Sequence, residues 1–130
     1  MDATTASSDR GAVLIIDDEE MVRDLFSAAL EETEFEVLSA SGGDEAKKIF
    51  SEHAGRIQLV LLDLSMPDIG AGELYDALAA HPSPARYILV SGYGEQEARR
   101  MFGRDGLSAF LQKPFRIDAL IDLVRSVLDS

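Results

Sequence analysis

The chain has 130 residues, 46% hydrophobic and 28% charged, which suits one packed domain, leaves no room for a second and excludes a disordered or fibrous protein. Its formal net charge of −12 argues against direct binding to nucleic acid or an anionic membrane surface, since both require a basic face to neutralise phosphates. With no cysteine, disulfides, thiolate metal sites and cysteine nucleophiles are excluded, which suits a reducing compartment and makes the cytoplasm the expected location.

In chain order, residues 1–11 are small and polar, rich in Ser, Thr and Ala without a hydrophobic period, and read as a flexible tail or linker; residues 12–130 read as the domain. The start shows no apolar stretch of a signal peptide. A branched apolar run at 13–16 predicts a first strand, with Asp17 and Asp18 directly after it. Met21, Val22, Leu25, Phe26, Ala29 and Leu30 then fall at helical spacing. A second strand run spans 36–39, followed by a helical stripe of Ala46, Ile49 and Phe50.

The third run, 59–62, ends against Asp63 and is far short of the roughly 20 residues of a membrane span. Leu74 and Leu78 mark a weaker helix, and a fourth run at 87–90 precedes Ser91. Ala98, Met101 and Phe102 follow, then a short run at 109–111 before Lys113. Ile117, Leu120, Ile121, Val124, Val127 and Leu128 recur at three and four residues, which predicts a closing helix.

Strict alternation of five such strands with five helices, joined by right-handed crossovers, predicts an α/β doubly wound parallel sheet of flavodoxin-like order 2-1-3-4-5. In such sheets the reactive groups lie beyond the carboxyl ends of the strands. Asp17, Asp18, Asp63, Ser91 and Lys113 all stand there. Taken singly each has an ordinary reading: an acidic helix start, a loop carboxylate, a plain turn, a solvated lysine. Taken together they place complementary charges and a hydroxyl after different strands, which accident does not favour.

Carboxylates at neighbouring strand ends repel one another and call for a shared cation. Oxygen ligands without nearby His or Cys favour Mg²⁺ over Zn²⁺, and Mn²⁺ could substitute. Asp63 is the candidate nucleophile, because a carboxylate can form an acyl phosphate when a cation and a lysine, here Lys113, neutralise the incoming charge. Ser91 offers a hydroxyl to a phosphoryl oxygen.

These motifs, Ile16-Asp17-Asp18-Glu19, Leu62-Asp63-Leu64-Ser65-Met66-Pro67, Val90-Ser91-Gly92 and Lys113-Pro114-Phe115, resemble the receiver domains of two-component response regulators, most of all those attached to hybrid sensor histidine kinases. The resemblance implies that Asp63 is the phosphoacceptor, that Asp18, Asp63 and the Ser65 backbone carbonyl hold Mg²⁺, and that Asp17 assists through water. It further implies that Ser91 and Lys113 hold phosphoryl oxygens and that Ser91 and Phe110 are switch residues. By the same resemblance Lys113-Pro114 is a cis peptide, while Ser65 and Tyr93 tune hydrolysis of the acyl phosphate, with Tyr93 screening water.

The implied partner is a histidine kinase or histidine phosphotransfer domain, with a covalently linked kinase core as one arrangement and a stand-alone regulator as the other. The implied output is the face built from the fourth helix, fifth strand and fifth helix, which could also support dimerisation. Where the family usually continues Met-Pro-x-Met-x-Gly, this chain has Ala71 in place of the glycine. A turn rebuilt around Gly70 or Gly72 at positive φ is therefore expected.

Arg99, Arg100 and Arg104 form the main basic cluster, read as a solvated face or a docking patch. Two rivals to the switch reading stand beside it. One is a Mg²⁺-dependent phosphohydrolase with an aspartyl-phosphate intermediate, although Ser65 occupies the place of that group's usual second acid. The other is a docking module with a vestigial site.

Overall fold

The computed structural model describes residues 11–129. The tail expected over residues 1–11 lies outside the described residues except for Gly11, whose carbonyl accepts the Glu36 N–H at 3.0 Å. The elements run β1 (Ala12–Ile16), α1 (Glu20–Leu30), β2 (Glu36–Ala40), α2 (Gly43–His53), β3 (Ile57–Asp63), α3 (Ala71–Ala79), β4 (Arg86–Ser91), α4 (Glu95–Phe102), β5 (Ala109–Gln112) and α5 (Ile117–Asp129). All strand pairs are parallel and the sheet order is β2-β1-β3-β4-β5, the doubly wound order that the alternation predicts.

Parallel strands buried on both faces need apolar residues at successive positions, which is why the runs are continuous and not alternating. Val13, Ile15, Leu59, Leu61, Ile88 and Val90 face a layer made by Phe26, Ala29 and Leu30 of α1 and Leu120, Val124 and Val127 of α5. Leu14, Ile16, Val60, Leu62 and Leu89 face the other layer, where Phe50 of α2, Leu74 and Leu78 of α3 and Phe102 of α4 close over them. Each fully buried Leu or Phe contributes about 2–3 kcal/mol of transfer free energy.

Two of the helical stripes are only partly buried. On α1, Met21 is 84% and Leu25 43% exposed, while Phe26, Ala29 and Leu30 are covered. Val22, Phe26 and Leu30, spaced four residues apart, take the line that packs on the core, and Met21 and Leu25 stand one position to its side. On α4, Ala98 and Phe102 take the buried line four residues apart and leave Met101 on the open side.

The turn after Asp63 is not built on a left-handed glycine. Gly70 has φ −66° and ψ 142° as the residue before α3, and the glycines at positive φ among the described residues are Gly11, Gly103 and Gly106. Gly72 lies inside α3, where a Cβ would stand 2.6 Å from the Phe102 carbonyl oxygen. Its glycine therefore serves a close approach of α3 to the end of α4. Tyr75 and Phe102 meet edge to face at 5.5 Å in the same junction, and Arg104 pairs with Asp76 at 2.8 Å.

Candidate functional site

Asp17 directly follows β1, Asp63 ends β3, Ser91 ends β4 and Lys113 comes one residue after β5. The register sets Ile16 beside Leu62, Asp63 beside Val90 and Ser91 beside Gln112, so the side chains leave the sheet at one edge. Backbone bonds continue the pattern past the strands: the Leu64 N–H donates to the Val90 carbonyl at 2.9 Å and the Lys113 N–H to the Ser91 carbonyl at 2.8 Å.

Lys113 crosses the middle of this edge. Its Nζ donates to Asp17 Oδ2 at 2.9 Å, lies 3.5 Å from Asp63 Oδ1 and 3.5 Å from Glu19 Oε1. Asp17, Asp18 and Asp63 each present a carboxylate oxygen within 4.8 Å of the others. Asp17, Asp63 and Ser91 are buried, whereas Asp18 faces solvent. Asp17 is fixed from behind as well, because its Oδ1 accepts the Glu19 N–H at 2.9 Å and its carbonyl accepts Arg23 Nη1 at 2.9 Å.

The electrostatics follow from this crowding. Burial, followed by the charge of Asp17, raises the Asp63 carboxyl from 3.8 to about 6, although Lys113 and the Ser65 N–H pull the other way. Burial alone lowers the Lys113 ammonium, but the hydrogen bond to Asp17 and the charges of Asp63, Asp17 and Glu19 outweigh it and leave it raised. One ammonium cannot offset this many carboxylates. The donor set is oxygen throughout and fits a hard divalent cation with open positions, as Mg²⁺ requires when it must also take a phosphate oxygen.

Of the remaining predicted residues, Ser65, Ser91 and Tyr93 border that cluster and Phe110 does not. Ser65 is exposed and its N–H reaches Asp63 Oδ1 at 3.4 Å. Ser91 Oγ accepts the Tyr93 N–H at 2.9 Å, so the hydroxyl is tied to the β4–α4 loop. Tyr93 is 46% exposed. Phe110 pairs in register with Leu89 and packs, half-buried, on the core beneath α2, α3 and α4, away from the carboxylates. The Lys113–Pro114 peptide is cis.

Three participants escape a reading of the sequence. Glu19 looks like part of an acidic helix start, Arg23 like a surface residue of α1, and Asp68 like a loop carboxylate, yet Asp68 Oδ2 accepts the Gly43 N–H at 2.7 Å. The first two lie close to Asp17 in sequence and could have been sought there. Asp68 and Gly43 carry no local signal.

A family model for the response regulator receiver domain matches residues 13–125. The chain belongs to that family. This receiver domain is thus a module of two-component signal transduction, and it is related to the sensor kinase CckA of Brucella abortus, with 31% identity over 129 residues. That match covers 99% of this chain but 14% of the kinase, so the receiver domain spans a small part of the relative's length. Chemotaxis protein CheY of Halobacterium salinarum is 30% identical over 117 residues, covering 89% of this chain and 95% of CheY.

Among solved structures, the receiver domain from the hybrid histidine kinase CckA superposes with a TM-score of 0.77 at 32% identity, covering 91% of this chain and 99% of that one. Among the described residues of this receiver domain no helix is long and apolar enough to cross a membrane.

Proposed function

We propose that the domain accepts a phosphoryl group on Asp63 from a phosphohistidine of a histidine kinase or phosphotransfer domain and changes its surface in response. The observation that carries this reading is the position of Lys113 Nζ, bridging Asp17 and Asp63 at the edge where three carboxylates converge. In the transfer, an Asp63 oxygen forms the new P–O bond as the P–N bond breaks in line. The electron pair stays on the departing imidazole nitrogen, and with a proton on its other nitrogen the histidine leaves neutral.

Lys113 and the Ser91 hydroxyl bind the phosphoryl oxygens, and Asp17 holds Lys113 in place. Asp18, Asp63 and the Ser65 carbonyl are the residues that would hold Mg²⁺, or Mn²⁺ in its place, with Asp17 acting through water. A cation there supplies neutralisation of charge on the phosphoryl oxygens. The domain assists its own modification without being a turnover catalyst.

The exposed apolar start of α1 supports docking of the donor beside the site. Met21 and Leu25 stand open to solvent, and Val22, Leu25, Pro114 and Phe115 line a largely apolar groove that ends at Lys113. The acidic residues interleaved with them, Glu20 and Asp24, suit a helical partner that presents apolar and basic side chains. The output runs through Ser91 and Phe110 to the face of α4, β5 and α5, which is also the proposed surface for dimerisation. The covalently linked kinase core belongs to the same reading.

The test is labelling by acetyl phosphate. Wild type is expected to take up one phosphoryl group only with Mg²⁺, and Asp63→Asn none. Multiple turnovers of a small phosphate ester at catalytic rates would replace this reading with the phosphohydrolase.

A further inference from the structure

Helix α2 has no local side-chain cap, because the residue before it is Gly42. Asp68, from the loop that follows Asp63, takes the place of the cap by accepting the Gly43 N–H at 2.7 Å. The contact is a charge-assisted hydrogen bond at the positive end of an 11-residue helix. Both glycines leave the room that it needs. A Cβ on Gly43 would stand 2.6 Å from Ile69 Cγ2, and one on Gly42 would stand 3.0 Å from Asp68 Oδ2. Ile69 itself packs, half-buried, on the core beneath α2 and α3.

The loop is therefore held at two points. Leu64 is bonded to Val90 on one side, and Asp68 with Ile69 is seated in the glycine gap on the other. Ser65 lies between them, separated from Asp68 only by Met66 and Pro67, and the fixed φ of proline leaves little slack in so short a span. We propose that Asp68 is a positioning residue which, through the Gly42-Gly43 gap, sets the aim of the Ser65 carbonyl and thereby the affinity of the site for Mg²⁺. The inference rests on the proposed function in one respect, that the Ser65 carbonyl is a ligand. Residues that orient ligands from behind change metal affinity by about tenfold or more when removed.

The experiment follows backbone amide resonances of the whole chain during Mg²⁺ titration, without any phosphodonor, in wild type, Asp68→Ala, Asp68→Asn and Gly43→Ala. The Ser65 and Met66 amides are expected to shift in Asp68→Ala and Gly43→Ala before any metal is added. Both variants should then need about tenfold more Mg²⁺ for half-saturation. Asp68→Asn, whose side-chain oxygen can still accept the bond, should recover most of the affinity.

Gly43→Ala separates positioning from helix stability. Its added Cβ, 2.6 Å from Ile69 Cγ2, pushes on the loop while the Asp68 side chain is kept, and wild-type amide positions over the second half of α2 would show that weaker Mg²⁺ binding does not come from a lost helix. Wild-type half-saturation in both Asp68→Ala and Gly43→Ala would overturn the proposal. A wild type whose Asp63 and Ser65 amides ignore Mg²⁺ would instead overturn the functional reading on which the affinity claim stands, and the two failures are distinguishable in one data set.

Discussion

The interior of the sheet and its carboxyl edge are a few residues apart on the same strands, yet they are built on opposite terms. Along β3, residues 59–62 are apolar, buried and surrounded by other apolar side chains. The next residue, Asp63, is buried among carboxylates and carries a raised pKa. The interior stabilises the fold, and the edge spends part of that stability to hold like charges together. A bound cation would relieve the repulsion that the folded chain already bears, and with Lys113 it would offset the further negative charge that a phosphoryl group brings.

The largest effect should come from breaking the interior. Phe102→Ala removes a fully buried ring that packs on Tyr75 and should cost about 3–5 kcal/mol in denaturant unfolding. The fraction that remains folded should still accept phosphate on Asp63.

Relieving the edge should act in the other direction. In metal-free buffer Asp63→Asn should be more stable than wild type above pH 6, by about 2–3 kcal/mol from a shift of 3.8 to about 6. The sign follows from the direction of the shift. The folded state holds this proton more tightly than the unfolded chain, so wild type loses stability as pH rises from about 4 to about 6, and the full penalty applies above that window. Asp63→Asn should lack that decline, and unfolding curves across pH would show it.

The smallest effect on stability is expected at Tyr93, which is 46% exposed and contributes to the site through its backbone N–H. Tyr93→Ala should unfold like wild type, within about 0.5 kcal/mol, but lose its phosphoryl group faster because less of the site is screened from water. An unchanged rate of loss would remove the tuning role and leave the contrast between edge and interior untouched.

The interior was almost wholly legible in the sequence, and the edge only in part. Continuous apolar runs define the strands, and the strands define which polar residues converge. The run 59–62 understates β3, which begins at Ile57: the register with β1 passes from Ala12–Ile57 to Val13–Leu59 and skips the polar Gln58, an irregularity that an apolar run does not reveal. The loop after Asp63 departs from the turn expected of its glycines: the glycine at 72 answers a contact with the Phe102 carbonyl, which a backbone rule about positive φ does not anticipate. Met21 and Leu25 share a period with Phe26 but stand beside the line of Val22, Phe26 and Leu30 that packs on the core. Periodicity identifies a face without saying where the neighbour ends. Asp68 and Gly43 lie 25 positions apart, and nothing local ties one to the other.

The most direct measurement is to map where phosphate goes. After incubation with acetyl phosphate and Mg²⁺, reduction with borohydride should convert the acyl phosphate to homoserine at position 63 alone, and peptide mass mapping should find it there and nowhere in Asp63→Asn. Equal phosphate uptake by both proteins, or a homoserine at Asp17 or Asp18 in wild type, would contradict the account.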